Sequence, residues 1–99
     1  MEIKEKRDGE KSELIIKGRL DTTTSPSLEN IIKATSKSVK ELTLNLSEVE
    51  YISSAGLRVV LVAHKLFMAA GGKSIIKNPS QFCRQVFEAT GMSSVLNIV

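Results

Sequence analysis

Asn45-Leu46-Ser47-Glu48-Val49-Glu50-Tyr51-Ile52-Ser53-Ser54-Ala55-Gly56-Leu57 is the stretch on which the reading of the fold turns. Just upstream, Leu42, Leu44 and Leu46 alternate with Thr43, Asn45 and Ser47, the two-residue period of a strand with one buried face. Downstream, Leu57 to Ala70 runs unbroken by Gly or Pro, which favours a helix. Two serines stand at the junction. Ser53 or Ser54 suits the N-cap, because its hydroxyl can accept from an amide that lacks an intrahelical partner. A serine here is exposed at the positive end of a helix dipole, where a phosphate can be held or received. It can equally be a cap and nothing more.

The flanking sequence extends the pattern. Glu2 to Arg7 and Ser12 to Lys17 read as strands joined by Asp8-Gly9-Glu10-Lys11, in which Asp-Gly is a hairpin signal. Ser25-Pro26 starts a helix with proline at its first position, and Leu28, Ile31, Ile32 and Thr35 mark its buried face as far as an end near Ser38. Glu41 to Ser47 is the third strand. Ser54 to Ala70 is the second helix, stopped by Gly71-Gly72. Arg58, Val62, Lys65 and Ala69 share its outer stripe, while Val59, Val60, Ala63, Leu66 and Phe67 face inward. Lys73 to Lys77 is a fourth strand. Asn78-Pro79-Ser80-Gln81 then reads as a capped helix start with Asn78 at the N-cap, and Phe82, Val86, Phe87 and Ala89 as that helix's buried face. Val95 to Val99 adds a short edge strand.

The order β-β-α-β-α-β-α-β predicts an α/β fold: one domain over residues 1–99, with a small mixed, mostly parallel sheet of four to five strands and right-handed crossovers. Polar Thr43, Asn45 and Ser47 on the far face of the third strand put the helices mainly on one side.

The string Leu44 to Leu57 resembles the signature of STAS domains, the bacterial anti-sigma factor antagonists. That signature is a Val/Leu-Asp/Asn-Leu-Ser strand end, an apolar–aromatic pair, then Asp-Ser-Ser/Ala-Gly-Leu. Gly18-Arg19-Leu20-Asp21-Thr22-Thr23-Thr24 is similar to the family's second element, Gly-x-Leu-Asp-x-x-Thr, which lies beside the phosphorylation loop. The resemblance runs from Ile15 to the C-terminus and implies a STAS-like sheet. It also implies that Ser54 is the phosphoacceptor and that Asp21, Thr24, Ser53, Ser54, Gly56 and Arg58 meet the partner. By the same resemblance, an anti-sigma factor that is also a serine kinase binds the unphosphorylated form and so frees its sigma factor. Phosphorylation at Ser54 ends that contact, and a serine phosphatase restores it. Two positions depart from the pattern: Ser53 stands where Asp is usual, and Arg19 where Glu is common. Ser53 is then a tolerated cap, the modified residue itself, or the mark of a chain regulated differently. Asp21 has a second reading as an Asx-turn residue. The alternative function is an unphosphorylated scaffold or ligand-sensing STAS module.

Composition narrows the field further. The chain has 99 residues, 41% hydrophobic and 25% charged, enough for one core without cross-links. Its net charge of +3 is spread out and its aromatic residues are few, which disfavours nucleic acid as a partner. No apolar run is long enough to span a bilayer. Met1 leads directly into Glu2-Ile3-Lys4-Glu5-Lys6-Arg7, unlike a secretory leader, and Cys83 has no second cysteine to pair with. A cytoplasmic, monomeric chain without membrane contact is expected.

Catalysis fits poorly. His64 stands ten residues beyond Ser54 on the predicted helix, about 15 Å away at 1.5 Å per residue, so the two form no dyad. His64 reads as a surface or boundary residue of that helix. Ile52 stands where a Gly-x-Ser-x-Gly elbow needs its first glycine. Gly71-Gly72-Lys73-Ser74 lacks the leading glycine of a phosphate loop and runs from helix to strand, the wrong order. One Cys, one His and scattered carboxylates offer no metal set, so neither enzyme activity nor a cofactor is expected.

Overall fold

The computed structural model describes residues 1–99. Strands β1 (Glu2–Asp8), β2 (Lys11–Leu20), β3 (Glu41–Ile52), β4 (Lys73–Lys77) and β5 (Asn97–Ile98) form one sheet in that order. The β1–β2 hairpin is antiparallel and every later pair is parallel. Helices α1 (Ser25–Thr35), α2 (Ser54–Ala69) and α3 (Gln81–Ala89) make the crossovers, and a 3-10 turn at Met92–Ser94 leads into β5. The mixed, mostly parallel α/β architecture is the one expected.

The core follows from the strand periodicity. Leu14, Ile16, Leu42, Leu44, Leu46 and Ile76 point one way and are buried. Leu28 and Ile32 of α1, Val59, Val60, Ala63 and Phe67 of α2, and Cys83 and Phe87 of α3 close over them in a single cluster. Each large side chain in that cluster contributes about 1.5–3 kcal/mol by leaving water. The opposite face of the sheet is polar and laced by charge. Lys77 Nζ lies 3.5 Å from Glu13 Oε2, Asn45 Nδ2 donates to the same oxygen at 3.1 Å, and Lys73 Nζ lies 3.5 Å from Glu41 Oε1. Exposed pairs of this kind add little stability, but they keep an uncovered sheet face wet.

The elements depart from expectation at several places. β3 does not end at Ser47 but continues to Ile52. Its buried residues step from Leu42, Leu44 and Leu46 to Val49 and then Ile52, so the spacing widens to three residues twice. Two register shifts against β2, between Ile15 and Lys17 and between Gly18 and Arg19, account for this. Each extra residue is a bulge that bends the strand and restores the inward face. Asn45 Oδ1 accepts from Ser47 N at 3.1 Å at the first of them.

α1 starts at Ser25, with Thr24 as an N-cap that makes no side-chain bond, and it stops at Thr35 rather than near Ser38. Asn78 is not a cap. It takes a positive φ of 48°, and Ser80 caps α3 instead, its Oγ accepting from Cys83 N at 3.2 Å. The shifted start turns Phe82 and Ala89 to solvent and Cys83 inward. His64 is buried at 9% exposure, not a surface residue, because it shares the inward stripe of α2 with Val60 and Phe67.

α2 ends in a Schellman motif: Gly72 N donates to Phe67 O at 2.8 Å and Gly71 N to Met68 O at 3.0 Å, with Gly71 at φ +81°. Gly71 needs the left-handed backbone, whereas Gly72 needs space, since a Cβ there would sit 1.9 Å from Lys40 O. That carbonyl already accepts from Lys73 N at 2.9 Å and so cannot yield. Gly71→Ala is therefore expected to lose about 1 kcal/mol, and Gly72→Ala about 2 kcal/mol or more. Urea denaturation of both variants checks the order, and equal losses would contradict it.

Candidate functional site

Because β2 and β3 run parallel and end together, with Arg19 beside Tyr51 and Leu20 beside Ile52, the segments that leave them lie side by side. The backbone locks them there. Ser53 N donates to Leu20 O at 3.0 Å. Gly56 approaches the same carbonyl so closely that a Cβ would stand 2.6 Å from it and 2.8 Å from Leu20 Cγ. Gly56 is thus buried and sets the approach of α2; it offers no surface to a partner, contrary to expectation.

Ser53 is the N-cap of α2, extended at φ −93° and ψ 177°, and its Oγ accepts from Gly56 N at 3.3 Å. It is half-buried. Ser54, the first residue of the helix, is exposed. The first turn of α2 carries no acidic side chain, so its dipole is uncompensated from within.

The neighbouring loop is tied to itself. Asp21 Oδ1 accepts from Thr23 N at 3.0 Å, Thr24 N at 3.1 Å and the Thr23 hydroxyl at 2.8 Å. This is the Asx turn that was one reading of Asp21. Thr24 Oγ1 donates to Arg19 O and accepts from Asp21 N, both at 2.9 Å. The Thr23 hydroxyl is the main cause holding the Asp21 carboxyl below its ordinary range, assisted by the Thr24 and Thr23 amides.

Four further residues meet around the site through contacts that nothing local in the sequence announces. The Arg19 guanidinium sits 4.2 Å from the centroid of the Tyr51 ring, and Tyr51 meets Phe82 at 5.3 Å. Tyr51 and Phe82 approach each other only because β3 is longer, and α3 starts later, than the sequence suggests. The fourth is Glu29 on α1. Its Oε1 is 3.0 Å from Arg58 Nη2 and its Oε2 is 2.9 Å from Lys33 Nζ. Lys33 first, then Arg58, hold the Glu29 carboxyl below its usual range. The i,i+4 spacing of Glu29 and Lys33 was legible in the sequence. Glu29 and Arg58 flank a cleft of about 360 Å³ between α1 and α2, also lined by Ser25, whose buried Oγ has no hydrogen-bond partner.

Asp21, Thr24, Ser53 and Ser54 therefore gather at the paired strand ends, and Arg58 stands one turn further along α2. Ser54 and His64 lie on that same helix, about 15 Å apart by its rise, and form no dyad within the chain. No helix is long and apolar enough to cross a membrane.

Comparison with known proteins bears on the fold and the family. The STAS domain family matches residues 4–99. The chain is 31% identical to the anti-sigma-B factor antagonist of Listeria monocytogenes, over 99% of this chain and 86% of that protein. Among solved structures, the unphosphorylated form of the anti-sigma factor antagonist SpoIIAA superposes with a TM-score of 0.86 at 21% identity, covering 99% of this chain and 88% of that one. The phosphorylated form of Bacillus SpoIIAA gives 0.80 at 21% identity, over 99% and 91%. At such identity the structural likeness establishes the fold alone.

The Asx turn is expected to be acid-sensitive. A carboxyl whose folded pKa is depressed stabilises the folded state above its unfolded pKa, and that contribution is lost as pH falls through the folded value. The Thr23 and Thr24 amide resonances should stay constant from about pH 7 to about pH 5 and move only below about pH 4, the range left to a lowered Asp. Asp21→Asn should remove the transition. Movement of those amides near pH 6 in the unsubstituted chain would contradict the assignment.

Proposed function

This chain belongs to the STAS domain family, and from that membership we propose that it acts as an anti-sigma factor antagonist whose partner binding is switched by phosphorylation of Ser54. The unphosphorylated chain binds an anti-sigma factor that is also a serine kinase, and the sigma factor is released. Relatives named as anti-sigma-B factor antagonists support the partner class, and SpoIIAA, a protein of the same fold, is known in unphosphorylated and phosphorylated forms. The observation that carries the choice of residue is the division of labour between the two serines. Ser53 is half-buried and its hydroxyl caps α2, while Ser54 is exposed beside it.

In the transfer, Ser54 Oγ bonds to the γ-phosphorus of the kinase's ATP as the bond to the bridging oxygen breaks. ADP leaves and the hydroxyl proton passes to a base of the kinase. The product carries about −1.5 to −2 charge and three acceptor oxygens. Amides of the first helical turn stabilise that anion locally, so the fold persists. At an interface built around a neutral hydroxyl, the same charge must be desolvated against a kinase surface that offers it no matching cation. Asp21, Thr24 and Arg58 form the surrounding contact surface, with Ser53 beneath it. A serine phosphatase restores the hydroxyl, and the cycle runs in the cytoplasm on a monomeric chain.

Ser54→Ala is expected to abolish phosphate incorporation by the partner kinase yet still bind it. Ser54→Asp should fold normally and bind weaker by about 2 kcal/mol or more. Ser53→Ala should lose about 1 kcal/mol of stability with its cap and keep its phosphorylation. Radiolabel transfer, intact-protein mass and binding calorimetry measure these. Undiminished incorporation into Ser54→Ala would sink the proposal.

A further inference from the structure

Ser54 and Arg58 are both exposed on α2 at the i,i+4 spacing, which brings side chains within reach of each other. In the unmodified chain Arg58 is turned away, across the α1–α2 cleft, where its Nη2 lies 3.0 Å from Glu29 Oε1. Glu29 is shared, since Lys33 Nζ holds its other oxygen at 2.9 Å. One carboxylate thus serves two cations and keeps a partner if one departs. The two sides of the bridge also differ in freedom: the Arg58 side chain is 67% exposed and that of Glu29 only 17%. Arg58 is the solvent-facing member, and leaving the bridge would expose little new surface on its side.

We propose that a phosphate on Ser54 takes Arg58 from Glu29, so that the modification is read in the α1–α2 cleft as well as at Ser54 itself. This rests on the proposed phosphorylation of Ser54. A phosphate brings more charge than a carboxylate already shared with Lys33, and its oxygens match the guanidinium fork in a two-point contact. No acidic side chain in the first turn of α2 competes for that contact. The exchange breaks no covalent bond. It swaps one exposed ion pair for a stronger one and lifts the Arg58 side chain from one wall of the cleft of about 360 Å³. The cleft then presents Glu29 with Lys33 alone, and the Ser25 hydroxyl that has no partner of its own. A partner that spans α1 and α2 therefore meets an altered surface on both helices.

The test places phosphoserine at position 54 by nonsense suppression, so that no kinase is needed. Phosphorus NMR then follows the second ionisation of the phosphate, which lies near pH 6 for a free phosphoserine. Contact with the guanidinium favours the dianion, so Arg58→Gln should raise that pKa by about half a unit or more. Lys65→Gln, which removes a positive charge two turns further along the same stripe, should raise it much less. The Arg58 Nε–Hε resonance should also move on phosphorylation, and in the unmodified chain Glu29→Gln should move it in a similar way. An unchanged phosphate pKa in Arg58→Gln, or equal shifts in the two charge-removing variants, overturns the exchange. Failure of any kinase to label the natural chain would instead count against phosphorylation as its regulation and leave this measurement standing.

Discussion

The hydrogen bond from Ser53 N to Leu20 O, at 3.0 Å, is the joint on which the site depends. It ties the last residue before α2 to the last residue of β2. Gly56 can then close on the same carbonyl only because it has no side chain. The N-terminus of a 16-residue helix is thereby held against the Asp21–Thr24 loop. The cap at Ser53, the exposure of Ser54 and the direction in which Arg58 points all follow from where that helix begins. The joint is backbone to backbone, so it specifies position without using any side chain that a partner could read.

Around the joint nearly every polar group is already engaged. Thr23 and Thr24 use Asp21 Oδ1, Ser53 uses the amide of Gly56, and Glu29 is divided between Lys33 and Arg58. Ser54 stands apart as an exposed hydroxyl in a frame held by other residues. Such a frame is set before a partner arrives, which limits the ordering entropy that binding must overcome.

The apolar pattern made most of this legible. Alternation in Leu42-Leu44-Leu46 and the long run after Leu57 located β3 and α2, and the Ser-Pro and Gly-Gly signals located the ends of α1 and α2 to within a few residues. Periodicity failed where the chain breaks its own period. Val49 and Ile52 each follow a three-residue step, so β3 seemed to end at Ser47 when it bends and continues. At α3, two residues suited to capping stood close together, and Ser80 prevailed over Asn78 because Leu46 O and Val49 O lie within its reach. His64 lies inward because its position falls on the stripe of Val60 and Phe67, which its polarity does not announce. The Glu29–Arg58 pair joins two helices in tertiary space, and nothing local in the sequence announces it. The Ser54 position was legible through its junction and its motif, whereas its electrostatic surroundings needed the fold.

The bulges of β3 also bear on how this segment can change in length. Removing one residue between Leu46 and Val49 would place Val49 two residues after Leu46, where simple alternation keeps it inward, and would cost the bulge and the bend it gives the strand. An added residue would keep Val49 inward only if the bulge rearranged to absorb it. Substitutions at exposed Ser47, Glu48 and Glu50 leave the parity of the strand intact. A deletion would change the bend instead, and with it the place at which β3 delivers Ser53 and Ser54 to the end of β2. Length in this segment thus sets the aim of the strand, and side-chain identity its surface.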